Sequence, residues 1–398
     1  MKRTLVILFL VCHYSAVAQI GISDLVNFLK QENLSPKEYV LDLFKTNDIV
    51  IIGERDHRDT TQYDLILDIL GDKRFIDQVG YVYTEVGVVN RTDWANRVLK
   101  NDYLTQSEFE IELIKLYREL DFNPLWEKYN MYKYLKGIYR INKDLSPDKK
   151  ITVGLTDCEF DWNGMTAEKY KNFSKVLLKR DSLMAANFIK LFEEQKLING
   201  TRKALLIQSQ PHAIKLCQYP NFKSTGSYIT EKYGQKVKIV LFNWYSWVPP
   251  DWHSYPWITD KKNILTADGK WDAAFELSGL KPVGFNLIDS PFGETLFNYA
   301  PDSVFNYQKI ADGLIYFVPF YEFQCTIGIP NVVDKHFAKE LVDRDIIMTY
   351  DKWFKRFGMK LIKPILIKKE KDYYNNVRTV NCQDYEKLKI QMNKWLTK

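Results

Sequence analysis

Residues 48–57 read DIVIIGERDH, and their reading decides the fold. Asp48-Ile49-Val50-Ile51-Ile52 is a compact apolar run closed by Gly53, which predicts a buried strand followed by a sharp turn. Residues 61–70 (TQYDLILDIL) then carry helical periodicity, and Gly80 to Val86 (GYVYTEV) reads as a second strand. Strand, helix and strand at this spacing predict a right-handed βαβ unit with parallel strands.

The same alternation continues outward. Lys150 to Leu155, Arg202 to Ile207 and Lys236 to Phe242 read as three more strands, and 282–287 and 313–318 add others. One long helix is predicted from about Thr166 to Lys196. Residues 91–143 read as a helical insertion, a cap over the sheet, and residues 335–398 as a helical, polar tail. The expected architecture is α/β: three layers, α/β/α, with a mostly parallel central sheet. Residues 19–398 are expected to form a single domain.

Lys2 and Arg3 precede an apolar run from Leu5 to Cys12, and Ala16-Val17-Ala18 offers small residues for cleavage. This pattern predicts a signal peptide over residues 1–18 and a secreted or periplasmic chain. The run is too short to span a bilayer, and no later segment has 18 uninterrupted apolar residues. Lys+Arg is 56 and Asp+Glu is 50, mixed along the chain without a long basic block, which argues against a nucleic-acid partner. The densest basic stretch, Lys363 to Lys371, reads as a solvated face. Cys158, Cys217, Cys325 and Cys382 are widely and irregularly spaced, so no zinc ribbon is expected. One or two disulfides or buried thiols both fit, and the spacing assigns no pairs.

In parallel sheets ligands bind beyond the carboxyl ends of the strands. The first predicted strand ends in Gly53-Glu54-Arg55-Asp56-His57, the second in Glu85, the third in Asp157 and Glu159, and the fourth near His212. Carboxylates and imidazoles thus converge on one sheet edge, where they could hold a metal or run acid–base chemistry on water. Asp157 alone reads as a turn residue or helix cap. Glu85 follows an apolar and aromatic run, so its carboxylate needs a buried partner. Arg180, Met184 and Asn187 share one helical face, which makes Arg180 a partner for Glu85 or Glu54.

Gly-Glu-x-x-His after a first strand resembles the erythromycin esterase-like family, which belongs to a wider group with ChaN-type haem-binding proteins and TIKI- and TraB-type proteins. The motif falls on Glu54 and His57, the second strand-end acid on Glu85, the Arg-Asp-x-x-Met-x-x-Asn helix on Arg180, Asp181, Met184 and Asn187, and the later strand-end histidine on His212. The resemblance covers about residues 45–320. Arg58 stands where Gly is common, Asp56 where a small hydroxyl residue is frequent, and Pro211 precedes His212. The resemblance implies a hydrolase of an ester or related acyl bond, with Glu54, His57, Glu85, Arg180 and His212 as the catalytic set. His57 would be the base on water, with Glu54 sharing its proton, and His212 and Arg180 would stabilise the oxyanion. No cofactor and no protein metal ligand is expected on this reading. No Gly-x-Ser-x-Gly elbow is present, which disfavours a serine acyl-enzyme. A divalent cation on the same Glu/His set, as in the TIKI type, or a haem, as in the ChaN type, are the alternatives.

Residues 243–257 (NWYSWVPPDWHSYPW) are aromatic, and their prolines exclude a regular helix or central strand. This stretch reads as an ordered loop over the site. Trp244, Trp247, Trp252 and Asn187 are the substrate-binding candidates for a small-molecule partner. A hydrophobic lid on the sheet is the competing reading. His253 would be a haem ligand on the haem alternative, and His336 has no assigned role.

Overall fold

The computed structural model describes residues 20–102, 105–199, 203–215, 223–248, 262–296, 305–349, 368 and 371–397. The predicted signal peptide lies outside them, and so do Cys217, Trp252 and His253. Seven strands form the central sheet: β1 (Ile49–Glu54), β2 (Tyr81–Val88), β3 (Thr152–Asp157), β4 (Ala204–Ser209), β5 (Val237–Phe242), β8 (Val283–Asn286) and β9 (Gly313–Tyr316). Their order is β3-β2-β4-β1-β5-β9-β8. Every pairing is parallel except β8 with β9. The architecture is the expected three-layer α/β/α.

The alternation of side chains along β1 builds the layers. All six of its residues are buried, and successive side chains point to opposite faces. Val50 and Ile52 join the core formed with helices Thr61–Leu70, Thr92–Lys100, Gln106–Arg118 and Tyr129–Lys143. Ile49 and Ile51 join the opposite core, with helices Ile22–Gln31, Arg180–Asn199, Thr225–Tyr233 and Lys270–Leu277. Each fully buried aliphatic side chain here contributes about 1.5–3 kcal/mol. Among the described residues no helix is long and apolar enough to cross a membrane.

β1 and β2 are parallel, as expected, with β4 between them. Three expectations change. The predicted 166–196 helix is two helices, Ala167–Val176 and Arg180–Asn199, joined by a 3₁₀ turn at Leu177–Lys179. The two pieces pack on different partners: Tyr170 faces Phe160 and Trp162, whereas Ala185, Phe188 and Phe192 face the sheet. The start of the aromatic segment is a strand, β6 (Tyr245–Val248), paired antiparallel with β7 (Lys262–Leu265) outside the central sheet.

The tail is not helical throughout. It begins with helix Lys335–Met348, then supplies β11 (Arg378–Asn381), which pairs antiparallel with β10 (Gln324–Ile327), and ends in helix Tyr385–Leu396. A disulfide joins Cys325 to Cys382 across this unit. Cys158 is a buried thiol.

Candidate active site

Two strand features aim the site residues. Gly53 lies against the short helix Gln210–Ala213, where a Cβ would stand 2.7 Å from Leu241 and 3.5 Å from the Gln210 backbone. In β2, register slips between Thr84 and Val88, so Glu85, Val86 and Gly87 together oppose Thr156 of β3. Gly87 closes this bulge at φ 119°, a conformation that suits a residue without a Cβ. Asn187 donates its side-chain amide to the carbonyls of Thr156 and Asp157, 3.1 Å each, and so fixes the end of β3. Its donors serve the scaffold, not the cleft for which Asn187 was a candidate.

Glu54, His57 and Glu85 meet. His57 Nδ1 contacts Glu54 Oε1, and Nε2 lies 3.2 Å from Glu85 Oε1. Both carboxylates are 1% exposed, and the His57 ring is 29% exposed. Each carboxylate is held from behind. Tyr63 donates its hydroxyl to Glu54 Oε2 at 2.6 Å, and the Ser209 N–H donates to Glu85 Oε2 at 3.0 Å. Burial disfavours a charged His57, but the two carboxylates outweigh it and raise the pKa to about 10. His57 is therefore an imidazolium at neutral pH. Burial would raise the Glu85 pKa, yet the charges of His212, His57 and Arg180 hold it well below the carboxylate range.

Arg180, Asp181 and His212 form the second half. Arg180 does not pair with Glu85 or Glu54, as the helical face suggested. It grips Asp157 through Nη2 to Oδ2 at 2.7 Å and Nε to Oδ1 at 3.0 Å. Its Nη1 stands 3.3 Å from His212 Nε2. His212 Nδ1 lies 2.8 Å from Asp181 Oδ1, which also accepts the Thr225 N–H at 2.8 Å and its hydroxyl at 3.0 Å. A guanidinium only donates, so this pattern assigns Nδ1–H to Asp181 and leaves Nε2 the lone pair. Burial lowers the His212 pKa and Arg180 opposes a second charge, but Glu85 and Asp181 raise it on balance. The structure thus makes Asp157 and Asp181 site residues, the first of which sequence reasoning set aside as a cap.

The helical insertion covers this sheet edge. The loop between helices Gln106–Arg118 and Tyr129–Lys143 brings Trp126 edge-on to His57, ring centroids 5.1 Å apart, and Phe122 under Arg180 at 5.7 Å. Asp121 on the same loop is buried, and burial together with the charge of Asp157 raises its pKa to about 6. Nothing in the sequence pattern singled out this loop. Arg58, a departure from the family motif, lies on Asp56 with Nε to Oδ1 at 2.9 Å. Cys158, next to Asp157, is no ready nucleophile, since burial pushes its pKa up to about 12. Trp244 packs instead toward the cluster of Leu265, Phe320 and Phe323. The side chain of Trp247 and all of Trp252 lie outside the described residues.

One subset could hold a cation. Glu54, His57 and Glu85 offer ligand atoms within 4.8 Å of one another. Glu54 Oε1, Glu85 Oε1 and His57 Nδ1 are buried without a hydrogen bond of good geometry. Two carboxylate oxygens and an imidazole nitrogen suit a divalent metal, and their Tyr63 and Ser209 contacts are the outer support such ligands need.

No protein-family model matches the chain, and no curated protein matches it in sequence. Among solved structures, a Bacillus cereus protein is similar, at 14% identity over 75% of this chain and 97% of that one, with a TM-score of 0.46. An erythromycin esterase variant in its open conformation is similar at 12% identity over 72% and 95%, with a TM-score of 0.39. ChaN of Campylobacter jejuni, described with cofacial haem, is similar at 15% identity over 55% and 89%, with a TM-score of 0.32. These likenesses concern the chain path, and no residue's role is taken from them.

Proposed function

We propose that the chain is a hydrolase that activates water with a histidine–carboxylate pair and cleaves an ester or related acyl bond. The observation that carries this reading is the His212 arrangement: Asp181 on Nδ1, and Nε2 left as an acceptor beside the Arg180 guanidinium. The base role moves from His57 to His212. Both nitrogens of His57 face carboxylates and its cation is stabilised, so it has no lone pair to offer.

In this mechanism His212 Nε2 takes a proton from water, and the hydroxide adds to the acyl carbon. Asp181 orients the ring and stabilises the imidazolium that forms. Asp157 holds two of the Arg180 nitrogens, and Nη1, at rest 3.3 Å from His212 Nε2, turns to the oxyanion once that nitrogen carries the proton. The His212 imidazolium then gives its proton to the leaving oxygen and returns to the neutral imidazole, while His57, held between Glu54 and Glu85, keeps its charge beside the site. The N-terminal signal-peptide pattern supports secretion or a periplasmic location, and the disulfide fits an oxidising compartment.

The convergence of three unsatisfied ligand atoms favours a second reading, in which a divalent cation on Glu54, His57 and Glu85 activates the water. A haem carrier of the ChaN type is the non-catalytic alternative. The test is a screen of esters and lactones with the purified chain, run with and without a chelator, alongside a visible spectrum. We expect turnover that survives the chelator and is lost in His212→Ala. Activity abolished by chelation and restored by a divalent cation moves the water to the Glu54 site. A Soret band with no turnover points to haem binding.

A further inference from the structure

The turn that carries His57 is built against another part of the chain. Thr326 N–H donates to Arg58 O at 2.9 Å, and Thr60 N–H to Gln324 O at 2.8 Å. The Thr60 hydroxyl reaches the same Gln324 carbonyl at 3.0 Å, and Asp59 and Cys325 form an antiparallel bridge. Arg55 locks the junction. It pairs with Asp59 at 2.8 Å, donates to Thr61 Oγ1 at 2.9 Å, and lies 3.7 Å over the Phe323 ring.

The other end of β10 holds the opposite wall. Gly328 N–H donates to Glu127 O at 3.0 Å, and Lys128 bridges to Ile327. Glu127 and Lys128 directly follow Trp126, whose indole meets the His57 ring. One strand of four residues therefore braces both the turn below His57 and the loop above it.

β10 depends in turn on the C-terminal residues. Its sheet partner β11 is four residues long and mostly exposed. The disulfide Cys325–Cys382 ties the two together, the Tyr385 hydroxyl donates to Phe323 O at 2.6 Å, and Cys382 N–H donates to that hydroxyl at 3.1 Å. So short a ribbon is marginal without such support.

We infer that the Cys325–Cys382 disulfide is a positioning element of the active site: it holds β10 in place, and β10 sets the His57 turn against the Trp126 loop. The catalytic consequence rests on the hydrolase reading; the structural one does not. Breaking the bond with a dithiol converts one disulfide to two thiols and the dithiol to its own disulfide. The bond is buried, so reduction requires local opening of the C-terminal unit, and the Cys325→Ala/Cys382→Ala variant is the cleaner probe.

The experiment is hydrogen–deuterium exchange on the full chain, comparing the oxidised protein, that variant and the dithiol-treated protein. Residues 54–63 and 119–128 should exchange at least about tenfold faster, while β5 and β9 keep their protection. Where turnover is found, kcat should fall about tenfold or more with a smaller change in KM, as misplacement of the His57 charge beside the site dictates. Arg55→Met, with the disulfide intact, should loosen 54–63 alone and leave 324–327 protected. Unchanged exchange at 54–63 while 378–381 opens overturns the inference. So does uniform loss of protection through β5 and β9, which would make the bond a global staple. Because exchange needs no substrate, failure of the hydrolase reading leaves this result intact.

Discussion

Arg180 closes on Asp157 and not on Glu85, two nitrogens against two oxygens at 2.7 Å and 3.0 Å. The pairing turns the third strand end from a cap into the anchor of the site's main cation. Asp157 is fully buried, so removing its charge strands a guanidinium. Asp157→Asn should cost about 3 kcal/mol of stability, read by chemical denaturation. In double-mutant cycles, Asp157→Asn with Arg180→Met should depart from additivity by more than about 1 kcal/mol, and Glu85→Gln with Arg180→Met by less. Equal coupling energies would sink this assignment.

Asp181→Asn tests the base. The amide cannot hold Nδ1–H as the carboxylate does, and kcat should fall about 10²- to 10⁴-fold. Asp181 raises the His212 pKa, so its loss should also move the acid limb of the kcat/KM profile to lower pH. A lower rate with an unmoved limb would mean that His212 is not the titrating base.

His57 gives the stability curve a slope on the alkaline side. Its folded pKa of about 10 lies above the ordinary 6.5, so the folded state holds its proton more tightly. The stabilisation is complete below about pH 6.5 and is lost as pH rises through 10. His57→Gln should flatten the fall in stability between pH 7 and 10. The measurement is a set of denaturant midpoints across that range, and parallel curves for both proteins would refute it.

Asp272 gives a slope of the same sign from a different cause, burial of a carboxyl instead of ion pairing. Burial raises its pKa to about 7, so the folded state favours the neutral acid. Stability contributed by that proton is present below about pH 4 and drains as pH rises through 7. Asp272→Asn should therefore stabilise the protein at pH 8, on the order of 2 kcal/mol, and much less at pH 5. Thermal melts of both forms at the two pH values decide this.

The strands were legible because their apolar runs are compact, and parallel sheets bury both faces. Glu54, His57 and Glu85 could be read together because each lies in or just after such a run. Asp157 could not, since one acid at a strand end has the signature of a cap until a partner is seen. Tyr63 sits on the inward face of its helix and looks like core, which it also is; only the fold puts its hydroxyl on Glu54. The order of β1, β4 and β2 depends on tertiary packing that local pattern does not encode. β11 escaped because four mostly exposed residues carry no alternation, and pairing with β10 is what makes them a strand.

The wall over the cleft and the floor beneath it come from separate stretches of chain. Strand ends and the helix that starts at Arg180 supply the charged groups, while residues 119–128 supply Asp121, Phe122 and Trp126. On the hydrolase reading, chemistry and substrate choice would thereby rest on separate parts of the chain. Exchanging residues 119–128 would then be expected to change which substrate is accepted while the two imidazoles keep their carboxylates.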